Sequence, residues 1–478
     1  MKQIPLFGTG IKSYSQVVSA QRRLNVFYDQ RSDGEVNNVI IRGTPGWVSA
    51  FTLPTAPIRG WLTANNTLYV VAGSVLYSVT KFGVATARGT LSVATLGYVS
   101  LADNGVNLII VDGVGGYTLT YSGNVFATIS DASFPNGAAT VTFIDGRFLC
   151  NLPNTKQCYI CALYDGTTWS PAIYFSKENT SDYLIAQDVF NGTIVLWGTA
   201  SIEFWQDVGS SPNPFARITG SSQNWGLAAV WGRVQVNNTI IFLGQNPQGS
   251  VQVMILNGYT PTRVSTSDIE NLINSFSIFS DCVALTYIID GHSMVQFTFP
   301  TAGRSLLFDT LTGIWSETQT GLALLGRHFG TLGVVYNSIN YISDATTGTV
   351  YAMSETTYTD GGQPIKRQVT SQHLNTGGNT FAIDEIYLDM ETGVGLQYGQ
   401  GSNPQIIMQV SKDGGRTFGY ERYASLGAVG QYKNPRVIFR RCGAARDFVF
   451  QFTMTDPVKF VIGYAAAKLR QTEGTING

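Results

Sequence analysis

Apolar and polar positions alternate in a recurring unit along most of this chain. The stretch Phe190–Trp205 displays it. Asn191-Gly192 is a tight-turn doublet, because both central positions of a type I′ turn need positive φ. Thr193–Trp197 is then a short, largely apolar, β-branched run. Gly198-Thr199-Ala200 turns the chain again, and Ser201–Trp205 is a second such run. This pattern predicts a β-meander.

The leading turn recurs at Asn65-Asn66, Asn104-Gly105, Asp145-Gly146, Asn191-Gly192, Asn237-Asn238, Asp290-Gly291 and Asn337-Ser338, seven copies in all. An apolar run follows each turn, and after a loop a second strand-like run follows that, as in Leu68–Val71 with Val75–Tyr77. The turns lie about 40 to 50 residues apart, the period of a four-stranded propeller blade. A single blade cannot bury both faces of its sheet, so blades must stack around an axis. The expected fold is therefore all-β, with a β-propeller of about seven blades over residues 59–365. No closing strand is evident after the seventh copy. Strands near Val17–Tyr28 or Asn38–Ile41, within an N-terminal lead-in segment of residues 1–58, are the candidates to complete that blade.

One helix interrupts the pattern, inserted near 267–276. Ser267 and Glu270 have capping-box spacing, and Ile269, Leu272, Ile273 and Phe276 share one face, which predicts packing on the propeller edge. Gly361-Gly362-Gln363-Pro364 and Asn375–Asn379 mark the exit from the repeats. Beyond them, runs at Ala382–Asp389, Gln405–Val410, Arg436–Arg440, Phe448–Thr453 and Lys459–Gly463 alternate without the blade motif. They predict a small antiparallel β-sandwich over residues 366–478.

Composition agrees with this reading. The chain has 478 residues, 44 % apolar and only 13 % charged, which excludes disorder, and its 52 glycines suit short strands joined by tight turns. Sparse charge also suggests surfaces covered by neighbouring subunits. The N-terminus Met1–Pro5 lacks the apolar core of a signal peptide, and no run approaches the roughly 18 to 20 apolar residues of a membrane helix. These features point to synthesis and retention in the cytoplasm until assembly. Charge divides along the domain line. Residues 1–365 carry 17 Lys and Arg against 22 Asp and Glu, and residues 366–478 carry 13 against 9. The basic excess concentrates in Lys433, Arg436, Arg440, Arg441 and Arg446, a candidate stripe facing a subunit or DNA.

Chemistry is scarce. Cys150, Cys158, Cys161, Cys282 and Cys442 are too scattered for a disulfide framework. Cys158-x-x-Cys161 lacks a second ligand pair, so the expected state is buried thiols and no metal. Gly113-Val114-Gly115-Gly116 is followed by a strand-like run rather than a helix, which removes the phosphate site of a dinucleotide loop. No Gly-x-Ser-x-Gly elbow accompanies the three histidines. The sharpest local motif is Ser411-Lys412-Asp413-Gly414-Gly415-Arg416-Thr417-Phe418, which fits the Asp-box of sialidases and other propellers. Ser411, Asp413, Gly415, Thr417 and Phe418 are expected to make a self-supporting turn, with Asp413 accepting turn amides. A sialidase would need several boxes, an arginine triad and a tyrosine nucleophile. A single box outside the repeats is a structural turn, and no catalytic residue or cofactor is assigned.

Three stretches together resemble the tail hub, or packaged-DNA stabilisation protein, of short-tailed bacteriophages. They are Ala200–Trp205, Ser265–Ile273 and Gln409–Leu469, the last holding both the Ser411–Phe418 turn and the basic strand Arg436–Arg441. The resemblance implies a non-enzymatic virion tail protein made in the host cytoplasm. It implies a homohexameric ring below the portal and its head-to-tail adaptor ring, docking of tail needle, fibre or tailspike proteins, and a lumen passing double-stranded DNA without reading its sequence. The near-neutral chain, with net charge −1, suits a conduit through which DNA must slide, since each phosphate contact adds salt-dependent affinity. The competing reading is a carbohydrate-binding or sialidase-like propeller acting in receptor recognition.

Overall fold

The computed structural model describes the chain apart from residues 1, 7, 9, 13, 14, 17, 31–38, 93–96, 433–435 and 472–478. Among the described residues, seven antiparallel blades follow one another. Their innermost strands are Ile58–Ala64, Ser100–Asp103, Val141–Ile144, Leu184–Phe190, Arg233–Val236, Val283–Ile289 and Gly330–Tyr336. Successive inner strands lie side by side except between the fourth and fifth blades, where Thr193–Gly198 meets Gly226–Leu227, and the last returns to the first, so the ring is closed. The fourth and fifth blades are joined by the Arg233 Nε–Asp188 Oδ2 ion pair at 2.5 Å.

The turn doublets act as their residue types require. In five of the seven, both residues have positive φ, as at Asn191 (48°) and Gly192 (72°). At Asn104 the chain uses another solution: its side-chain oxygen accepts the amides of Val106 and Asn107 at 2.9 and 2.6 Å, and Gly105 alone takes positive φ. Each blade buries one face on the blade before it and the other on the blade after. Val71 and Leu76 of the first blade meet Leu108, Ile110 and Leu119 of the second. Leu68 and Val70, on the first blade's opposite face, meet Tyr341 and Val350 of the seventh. Each such side chain contributes about 1.5–3 kcal/mol on burial, which is why the ring needs every blade.

The strand that completes the seventh blade is Gly46–Thr52. It pairs antiparallel with Thr349–Ser354, and Thr52 meets Thr349 across 297 residues of chain. Neither Val17–Tyr28 nor Asn38–Ile41 closes the ring. Val17 and Asn38 themselves lie outside the described residues. The strands Val26–Gln30 and Val39–Gly43 join the sandwich instead, because Val26, Tyr28 and Ile41 bury in its core. The helix Ser267–Asn274 also differs from its expected start. Thr266 is the N-cap, accepting the Ile269 amide, while Ser267 is the first helical residue. Glu270 does not reach back to the cap because Arg263 and Ser265 hold it, at 2.6 and 2.7 Å. Ile269 and Ile273 are buried between the fifth and sixth blades, with Leu272 and Phe276 packed against the same cluster.

The sandwich has two sheets. One orders Val26–Gln30, Val39–Gly43, Val461–Gln471, Phe381–Met390 and Arg436–Ala445. Its strand Val461–Gln471 begins later and runs further than the apolar run Lys459–Gly463, because Ala465 and Ala467 continue into the core. The other sheet orders Arg22–Leu24, Arg367–Thr370, Asp447–Met454, Gln405–Ser411 and Arg422–Ser425. Phe381, Ile386, Phe439, Phe448, Phe450 and Phe452 fill the space between.

Arg22–Leu24 also pairs with Trp315–Glu317, so the second sheet continues into the sixth blade. Asn25, buried at φ 52°, ties this junction. Its amide donates to the carbonyls of Gln319 and Lys366, both at 2.9 Å, and its oxygen accepts Thr318 Oγ1 and the Gln319 amide, also at 2.9 Å. Arg42 adds an ion pair to Asp29 at 3.0 Å and another to Asp290, on the sixth blade's turn, at 2.6 Å.

Candidate functional site: the basic edge of the sandwich

Ser411–Phe418 lies in the loop between Gln405–Ser411 and Arg422–Ser425, two paired strands. Asp413 Oδ1 accepts the amides of Arg416 and Thr417 at 3.0 and 2.9 Å, and Oδ2 accepts Thr417 Oγ1 at 2.6 Å. Ser411 Oγ donates to Asp413 at 2.7 Å and accepts the Gly415 amide at 2.8 Å. Gly414 and Gly415 take positive φ, at 73° and 83°, and Phe418 is half-buried. The Thr417 hydroxyl and amide, then the Ser411 hydroxyl, hold the Asp413 carboxyl well below the usual carboxylate range. The turn therefore carries a fixed negative charge whose oxygens are already engaged.

The basic residues separate into different settings. Lys433 lies outside the described residues, as does the side chain of Arg436, whose backbone stands opposite Asp389. Arg440 stands opposite Glu385 and pairs with it at 3.0 Å. Between Arg440 and Gly443 the strand bulges, and Arg441 takes φ 59°. A left-handed residue other than glycine costs about 1–2 kcal/mol. The bulge restores the alternation one residue late, so Arg440 and Arg441 are both exposed and Cys442 returns to the core. Arg446 is exposed in the next turn, away from this group.

Arg441 lines a cleft of about 520 Å³ together with Lys412, Tyr420, Arg422, Cys442 and Gly443. The cleft sits where the outermost strands of the two sheets approach each other. Arg422 closes that gap: Nη1 donates to the carbonyls of Arg440 and Arg441 at 2.8 and 3.1 Å, and Nη2 to Tyr420 Oη at 2.7 Å. Burial pushes the Cys442 thiol up to about 11, against the pull of Arg422 and Lys412, so it is a neutral wall and not a nucleophile. Sequence reasoning quoted Lys412 within the turn but gave it no role, and it passed over Arg422 and Tyr420. Their short spacing in a hairpin was the only signal available.

The propeller axis holds a second cavity of about 570 Å³, with Trp61, Phe143, Asp188, Trp231 and Arg233 in its wall. Asp188 is committed to Arg233 and to Trp197 Nε1 at 2.6 Å. All five cysteines are free and buried, and no cluster of three metal-binding side chains occurs among the described residues.

A family model described as the β-propeller of bacteriophage P22 Gp10 matches residues 3–358, and one described as the Gp10 β-sandwich matches residues 366–470. The chain belongs to the P22 Gp10 family. The tail hub protein gp10 of Salmonella phage P22 is 22 % identical to it over 412 residues, covering 81 % of this chain and 82 % of that protein. Two solved propellers are also similar in outline. Virginiamycin B lyase from Staphylococcus aureus has a TM-score of 0.42 and 9 % identity, covering 62 % of this chain and 94 % of that one. The Cps50 (Swd1) propeller domain of Myceliophteria thermophila has a TM-score of 0.43 and 8 % identity, covering 64 % and 100 %. Neither bears on function.

Within this Gp10-family chain, the residues that carried the resemblance are structural struts. Glu203, fully buried, accepts the amides of Glu178 and Asn179 at 3.1 and 2.7 Å. Ser201 bonds to Asp182, which pairs with buried Lys177 at 2.5 Å. Burial opposes the Asp182 charge, but bonds from Lys177, Thr180 and the Ala200 amide outweigh it and bring the carboxyl to about 2. These contacts fix the loop that leads into the fourth blade. Ser265 and Glu270 similarly tie the helix to the fifth blade, where Ser265 Oγ accepts the Val253 amide at 3.1 Å.

Proposed function

We propose that this chain is the structural hub of a short-tailed phage tail. It assembles as a homohexameric ring below the portal and adaptor, extends the DNA conduit, retains packaged DNA and docks needle, fibre or tailspike proteins. The observation that carries this reading is the match of both Gp10 family models along the chain, with a tail hub protein as a relative over 81 % of it. Two physical features support it. The junction at Asn25 and Arg42 makes propeller and sandwich suited to move together as a ring segment. Net charge near zero allows DNA to slide. The role is architectural, with no catalytic step. Phage particles assembled without this chain test it: heads should fill and then lose their DNA. Particles that keep their DNA and lack only a peripheral spike would overturn it.

A further inference from the structure

We propose that the cleft at the open edge of the sandwich is a carboxylate-binding site, which grips an acidic side chain on the propeller of a neighbouring copy of this chain. The proposal rests on the ring reading and names the contact that would hold neighbours together.

The cleft concentrates cations that the fold does not neutralise. Elsewhere in the sandwich, Arg440 pairs with Glu385, Lys459 with Glu391 and Arg470 with Asp384, while Arg416, Arg446 and Lys468 are exposed without an ion pair among the described residues but line no concavity with other cations. Lys412 and Arg441 are exposed and have no ion pair among the described residues, and Arg422 bonds only carbonyls, a phenol and the edge of a thiol. The one carboxylate in the wall, Asp413, is occupied by Ser411, Thr417 and the Arg416 amide. Three positive groups thus converge on a concavity that lacks an available negative partner.

The arrangement is also built. Lys412 lies over Gly443, whose φ of 86° is a conformation that favours glycine. Arg441 is held outward by the left-handed bulge that returns Cys442 to the core. Strain of this kind is retained where the surroundings over-determine it, commonly at binding sites.

Shape and composition select the partner. Tyr420, 75 % exposed, lines the cleft, and arginine with tyrosine is the composition of protein–protein contact centres. A concave site suits an inserted side chain, whereas a duplex that must slide needs a smooth, weakly binding wall. The complementary charge is present in the same chain, where the propeller, residues 46–365, holds 19 acidic residues against 11 basic. In a side-by-side ring every sandwich can meet a neighbour's propeller, and unlike charge favours that register.

The test is zero-length carbodiimide coupling of assembled virion tails containing mixed light- and heavy-isotope copies, followed by peptide mass spectrometry. Lys412 should be linked to an Asp or Glu within residues 46–365, the propeller, of a different copy. The variant Lys412→Glu/Arg441→Glu should melt like the unaltered chain yet enter tails at least tenfold less. Lys412→Met, with a smaller loss, replaces it if the double variant does not fold. Variant tails formed at the normal yield, a Lys412 link to another tail protein, or no Lys412 link at all would each overturn the proposal while the ring stands. Absence of any ring from the unaltered chain would instead overturn the reading on which it rests.

Discussion

The propeller and the sandwich bury their interiors equally well but assemble them differently. Ile110 in a blade and Phe452 in the sandwich are both fully buried. The first blade draws its four strands from one run, residues 58–90, each paired with the next along the chain. The sandwich's first sheet places Val39–Gly43 beside Val461–Gln471, and Val461–Gln471 beside Phe381–Met390. Local pairing closes short loops at small entropic cost, while distant pairing waits for the rest of the chain. The N-terminal segment reconciles the two regions: Gly46–Thr52 closes the propeller, and Val26–Gln30 with Val39–Gly43 completes the sandwich.

The largest effect should come from removing that shared segment. Deleting residues 1–52 takes the closing strand from one region and the strands Arg22–Leu24, Val26–Gln30 and Val39–Gly43 from the other, so no cooperative melting by circular dichroism is expected. A soluble product with one sharp transition would show that the regions do not depend on it. Next in size, Asn25→Ala leaves four buried groups without partners and puts alanine in a left-handed position, a cost of about 3 kcal/mol. Calorimetry should then resolve two transitions in place of one. A single transition at the original temperature would place the coupling elsewhere.

Acid tests a strut confined to the propeller. The folded value of Asp182, about 2, lies below its ordinary value. Its contribution is therefore complete above about pH 4 and is lost as pH falls towards 2, about 2 kcal/mol in all. Asp182→Asn should flatten the stability profile across that window, measured by urea unfolding at stepped pH. An unchanged slope would remove Asp182 from the acid response. The smallest effect belongs to the sandwich turn, where Asp413→Ala should lower stability by about 1 to 2 kcal/mol through lost amide acceptors. Loss of assembly with unchanged monomer stability would place Asp413 in an interface.

The same contrast explains what could be read from sequence. Asn191-Gly192 followed by Ile194–Trp197 announces a blade because turn and strand are contiguous, and the seven-fold recurrence makes the propeller legible. Closure by Gly46–Thr52 was hidden, since Trp47 and Phe51 match no repeat and their partner lies 297 residues away. The helix start shifted by one residue because Thr266 and Ser267 are both competent caps, and only the position of Glu270 beside Arg263 decides between them. At the candidate site the basic character of Arg440 and Arg441 was visible. The bulge that separates paired Arg440 from unpaired Arg441 was not, because it depends on register against Phe381–Met390.

The central claim is that this chain forms the ring through which the tail's DNA passes. Electron-microscopic reconstruction of the intact virion tail tests it most directly. The account predicts six copies side by side below the adaptor, each with a propeller and a sandwich, enclosing a lumen wide enough for duplex DNA. Trimers of this chain on the tail's exterior, away from the channel, would contradict it.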